Sequence, residues 1–141
     1  MTGGQVDGRV DVRFLNPDTI HKPFGYSHVA QVRAGRPVYI AGQVAMDRDG
    51  ELVGPGDVDA QATQVFENLT AALASVGATW NNVVKLTYFL IDASALPAIR
   101  AVRDRYVNTE HPPASTAVEV RRLFRDEYLI EVEAVAVLPE G

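Results

Sequence analysis

The chain has 141 residues, 47% of them hydrophobic and 22% charged, with a formal net charge of −5. That is one ordinary domain, long enough to bury a core without covalent staples. It has no cysteine, which excludes disulfides, thiolate metal sites and a thiol nucleophile, and its acidic balance argues against a broad phosphate-binding surface.

The first ten residues are expected to be a loose tail, because Thr2-Gly3-Gly4-Gln5 offers nothing to pack. Met1 to Arg9 lacks the apolar stretch of a signal peptide, and no apolar run approaches the roughly 18 residues of a membrane span. A cytoplasmic protein with no membrane partner is the expectation. Val10, Val12 and Phe14 alternate with polar residues and predict a strand, closed by Asn16-Pro17-Asp18. His28 to Val32 and Val38 to Ala41 read as two further strands. The turn Ala34-Gly35-Arg36-Pro37 between them predicts a hairpin.

The period then changes. Val58, Ala62, Val65, Phe66, Leu69, Leu73 and Val76 step by threes and fours, the stripe of an amphipathic helix. Asp57 suits its N-cap and Gly77 the position past its C-cap. Val83 to Ile91 is rich in Val, Thr, Tyr and Phe and predicts a strand. Ser94 suits the cap of a second helix with Pro97 in its first turn, an apolar stripe of Leu96, Ile99, Val102 and Tyr106, and a stop at Pro112-Pro113. Thr116 to Leu123 and Tyr128 to Leu138 predict two last strands.

The predicted order is three strands, helix, strand, helix, two strands: an α+β domain with a mixed sheet. Two helices cover one face of such a sheet. The other face still carries Val135 and Val137, so burial by further copies of the chain in a closed oligomer is expected.

Familiar catalytic patterns are missing. There is no P-loop, no G-x-G-x-x-G, no H-E-x-x-H and no G-x-S-x-G. His21, His28 and His111 have no ligand spacing, so no metal site is expected. Gly25-Tyr26-Ser27-His28 is either a decorated loop or a turn that presents a hydroxyl to a cleft. Gly42, followed by Gln43, either admits a ligand close to the backbone or marks a bulge. Glu131 and Glu133 lie two apart in the most apolar strand and so share a face. They are either solvated, with Arg121 or Arg122 opposite, or a desolvated acid–base pair able to orient water.

These residues, taken together, resemble the Rid (YjgF/YER057c/UK114) family. Gly25-Tyr26-Ser27-His28 and Ile40-Ala41-Gly42-Gln43-Val44 are similar to its "PYS…SGQ" opening. Pro112-Pro113-Ala114-Ser115-Thr116-Ala117-Val118-Glu119-Val120 and Ile130-Glu131-Val132-Glu133-Ala134 are similar to its "PAR(S/T)xVxV…(I/V)E(I/V)EA" signature. Asn68-Leu69 and Val83-Val84-Lys85 match in between, so the resemblance spans roughly residues 16 to 137 of a single domain, 1–141. It implies a fold like that of the bacillus chorismate mutase: a mixed sheet with two helices on one face, and a homotrimer with a barrel-like core and ligand clefts between subunits.

It also implies hydrolysis of reactive imino or enamino acids, without a cofactor. Glu131 would activate water and Tyr26 would line the cleft; Ser27, His28, Gly42, Gln43, Lys85 and Ser115 would face the ligand. One position departs. The family's carboxylate-gripping arginine falls at Ser115, which offers one neutral donor on a short stem. Losing a desolvated charge-assisted pair weakens substrate binding by about 2–5 kcal/mol, unless Lys85, Arg33 or Arg121 supplies the cation. Three readings follow: a deaminase or hydrolase of a small imine or enamine; a non-catalytic trimer that binds a small molecule; and, last, an endoribonuclease, since the chain shows no basic stripe for nucleic acid.

Overall fold

The structure, a computed structural model, describes residues 11–141 and, by their backbone, residues 3–6. Val10, expected to begin a strand, lies outside the described residues. The elements are β1 (Gly3–Val6), β2 (Asp11–Leu15), β3 (Val29–Ala34), β4 (Arg36–Gln43), α1 (Val58–Ser75), β5 (Val83–Leu90), α2 (Leu96–Arg103), β6 (Ala114–Glu119) and β7 (Ile130–Leu138). The expectation of a loose start needs correction. Gly3–Val6 pairs antiparallel with β2, because a strand edge holds backbone whatever the side chains are.

The strands form two sheets, β1-β2-β3 and β4-β7-β5-β6. The second is mixed: β5 and β6 run parallel, joined through α2, and the other pairs are antiparallel. The expected hairpin between β3 and β4 does not form. β3 pairs with β2 and β4 with β7, and Gly35 between them is a bend at φ 135°. A side chain at Gly35 would strike Val137, so the chain crosses there from one sheet to the other at close range.

Helix α1 is bounded as its sequence dictates. The Asp57 carboxylate accepts from the Ala60 N–H at 3.1 Å. At the far end Gly77 takes φ 76°, and the Ala78 and Gly77 amides donate back to the Leu73 and Ala74 carbonyls. Ala62, Val65, Phe66, Leu69 and Leu73 are buried against Leu86, Leu90, Ile130 and Val132 of the four-stranded sheet. Helix α2 is shorter than expected. Asp92 caps the 3-10 turn Ala93–Ala95 that leads into it, accepting from the Ser94 amide and hydroxyl, and α2 itself, with no side-chain cap, ends at Arg103, leaving Tyr106 beyond it.

Both helices lie on one face of the four-stranded sheet. On the other face the small sheet covers one end: Val12 and Phe14 pack on Val84 and Val137. The chain therefore buries part of the face that was expected to need a second copy. On the same face Phe89 packs with Val44, Leu123 and Tyr128; the remainder stays open, and there Tyr39 is 78% exposed.

Candidate functional site

Residue parity across β5, β6 and β7 sorts the expected site residues onto two faces. Ser115 stands opposite Leu86, a core residue of the helix-covered face. Glu131 stands opposite Phe89, and Glu133 opposite Thr87, on the open face. One chain therefore does not bring Glu131 together with Ser115.

The helix-side group lines a cavity of about 250 Å³ between α2, β5, β6 and the Gly25–His28 loop. Tyr26 and Ser115 are on its wall. Ser27, expected to face a ligand, is 2% exposed, and its hydroxyl donates to the Pro112 carbonyl at 2.6 Å. Its amide donates to the Pro113 carbonyl at 3.1 Å, so Ser27 pins the loop onto the start of β6. His28 is also occupied. Its Nε2 lies 2.6 Å from the His21 carbonyl and must donate to it, its amide donates to Asn16, and its ring meets Tyr26 edge-on. Ser27 and His28 thus position Tyr26, whose hydroxyl lies 3.2 Å from His21 Nε2.

The open-face group centres on Glu131. Gly42 lies directly against it, and a Cβ at Gly42 would collide with the Glu131 carboxylate. Gly42 also falls in the register shift between Ile40 and Gln43, the bulge that its position allowed, and what approaches it is a side chain of the chain itself. Partial burial raises the Glu131 pKa above its ordinary value of 4.5, and the Glu133 charge raises it further. Neither Arg121 nor Arg122 sits opposite the pair; Arg122 bonds Asp126 at 2.9 Å. Gln43 donates to the Ala41 carbonyl at 3.0 Å and lines a separate depression with Asn68 and Met46. Lys85 belongs to the open face, where its Nζ donates to Thr116 Oγ1 at 2.7 Å.

The proposed replacement cations are not in the cavity. Lys85 is on the opposite face, and Arg33 pairs with Asp11 at 3.4 Å on the small sheet. The cavity instead holds Arg100 and Arg103 of α2, with Tyr88 of β5, none of which the sequence reading selected. Their signal was the i,i+3 spacing that sets both arginines on one helix side. Among the described residues no cluster of three His, Asp or Glu side chains has metal-binding geometry, and no helix is long and apolar enough to cross a membrane.

Comparison with known proteins agrees with the architecture. The family model described as Endoribonuclease L-PSP matches residues 18–138. A RutC family protein of Synechocystis is 43% identical over 103 residues, 72% of this chain and 78% of its own. The 2-iminobutanoate/2-iminopropanoate deaminase of Mus musculus is 36% identical over 112 residues, 79% of this chain and 80% of its own. Among solved structures, the Rid-family protein YyfB of Yersinia pestis superposes with a TM-score of 0.80 at 38% identity, covering 90% of this chain and 98% of that one. With a family match over most of its length and relatives above 30% identity, this chain belongs to the Rid (YjgF/YER057c/UK114) family.

Proposed function

We propose that the protein hydrolyses a small reactive imine or enamine to a carbonyl compound and ammonia, in a cleft between the subunits of a homotrimer. The observation that carries this reading is Glu131: a half-buried carboxylate of raised pKa, set against a glycine on a sheet face left open by its own chain. The deaminase relatives from mouse and from Dermatophagoides farinae support the reaction class.

The chemistry requires one positioned base and a pocket. Glu131 takes a proton from water as the oxygen adds to the carbon of the protonated imine, giving a neutral carbinolamine. The carbinolamine nitrogen is then protonated by the same carboxyl, the C–N bond breaks, and the oxygen passes its proton to the departing ammonia, leaving the carbonyl and ammonium. An enamine enters as its imine tautomer. Tyr26 and Ser115 of one subunit would face the ligand, with Glu131 contributed by the neighbour, because the two groups lie on opposite faces within one chain.

The test generates 2-imino acids in place with an amino-acid oxidase and follows their decay. The protein should accelerate it, and Glu131→Gln should cut turnover about 100-fold or more with the assembly intact. No acceleration at stoichiometric protein overturns the reading. Ligand-dependent thermal stabilisation without turnover would then favour the non-catalytic binding trimer. RNA cleavage ranks last, given the net charge of −5.

A further inference from the structure

We infer that Arg103, assisted by Arg100 and the Tyr88 hydroxyl, is the carboxylate-binding group of this protein, taking over from helix α2 the task that Ser115 cannot perform from strand β6. In naming the substrate handle this rests on the imine-hydrolase reading; that a carboxylate binds here does not. The ligand class is a small 2-imino acid with a short apolar side chain.

Four observations carry it. First, Arg103 is 7% exposed, a burial that long cations rarely reach without a partner or a task. Its Nε and Nη2 both lie 2.9 Å from one oxygen of Asp104, which holds the fork from the solvent side, and Nη1 makes no bond among the described residues. Second, Gly25 lies against the guanidinium, where a Cβ would collide with Nη2, so the loop that carries Tyr26 is shaped around this arginine. Third, Tyr88 lines the cavity with Arg103 and is 3% exposed, and among the described residues its buried hydroxyl has no hydrogen-bond partner. A buried donor of this kind calls for an explanation, and an acceptor brought by a ligand against this wall supplies one. Fourth, Arg100 and Arg103 against Asp104 leave the wall one positive charge in excess, within a chain that is negative overall.

The rest of the wall is apolar. Leu96, Ile99 and Ala117 complete it, and a volume of about 250 Å³ suits a small metabolite below the size of usual cofactor clefts. Ser115 lines the same cavity, so its small side chain leaves room for the guanidinium that comes from the helix. An arginine at 115 would crowd Arg103 with a like charge.

The experiment titrates the assembled protein with 2-oxobutanoate, the keto-acid counterpart of a 2-imino acid, and with 2-oxobutanamide as its uncharged match. Binding is read by calorimetry, and imine turnover is assayed in parallel. Wild type should bind the acid and not the amide. Arg103→Gln should weaken acid binding about tenfold or more. Arg103→Gln with Ser115→Arg should regain most of it, whereas Ser115→Arg alone should not improve on wild type. Tyr88→Phe, which removes only an unbonded hydroxyl, should fold normally and weaken the acid several-fold. It keeps the test decisive if Arg103→Gln unfolds. Acid binding unchanged in folded Arg103→Gln or in Tyr88→Phe, or acid and amide binding alike, overturns the inference and leaves the hydrolase reading standing. Arginine-dependent acid binding without imine turnover does the reverse.

Discussion

Glu131, the proposed base, has an environment that registers in stability. Its carboxylate is partly stripped of water and sits beside Glu133, so the folded protein holds the proton more tightly than the unfolded chain does. The sign follows from that. Below the ordinary glutamate range both states are protonated and the group's contribution is fully present. As pH rises through the raised pKa, the folded state must ionise a disfavoured carboxylate and that contribution is lost. Glu131→Gln removes the titration. The variant's melting temperature should therefore match wild type's near pH 4 and exceed it near pH 7, measured at one protein concentration. A variant equally or less stable at pH 7 would show that the folded state does not disfavour the charge. Under the proposed mechanism the same shift moves the rising limb of a pH–rate profile to higher pH than an ordinary glutamate would give, since water activation needs the ionised form.

At the scale of elements, Gln61 explains why the start of β7 stays where Glu131 needs it. It is completely buried in the apolar stripe of α1. Its Nε2 donates to the Gly54 and Glu127 carbonyls at 3.1 and 2.9 Å, and its Oε1 accepts from the Leu129 amide at 2.8 Å. Gln61→Leu leaves three backbone groups, in part-buried hydrogen bonds, without that partner. It should cost on the order of 3 kcal/mol of unfolding free energy in urea. A loss below about 1 kcal/mol would mean that water replaces the amide.

The helix itself was legible in the sequence. Asp57, the three-and-four spacing and Gly77 all point to the element observed. Gln61 was not legible, because its partners come from loops 7, 66 and 68 residues away. The β3–β4 hairpin was misread for a related reason. Local turn chemistry at Gly35 does not say which distant strand each arm will pair with, and β4 finds β7 nearly a hundred residues on. The site divided along the same line. Motif and alternation single out Glu131 and Tyr26 as candidates. Arg103 became visible only once α2 lay across β5 and β6, since a helical arginine reads as a solvated charge until its face is known.

The whole molecule carries the strongest constraint, because its candidate site is divided between two faces of one sheet. The cavity with Tyr26, Ser115 and Arg103 is on the helix side, and Glu131 is on the other. A site using both requires one face of a subunit to meet a different surface of its neighbour. Such a head-to-tail contact closes by rotation into a ring, and the smallest ring of that kind is a trimer. The open face is equipped for it: Phe89 stands beside Glu131 with Val118 beyond it, and Tyr39 projects almost free of its own chain. Light scattering at micromolar concentration should therefore give three times the 15.3 kDa chain mass. Tyr39→Asp places a charge in the apolar part of the contact and removes nothing from the core of the single chain. It should lower the mass towards that of one chain, leave the far-ultraviolet circular dichroism unchanged and abolish turnover. A monomeric wild type would remove both the trimer and the divided site. A monomeric Tyr39→Asp that still turned over imine would show that one chain suffices, and would end the assignment of Glu131 to a neighbour's cavity.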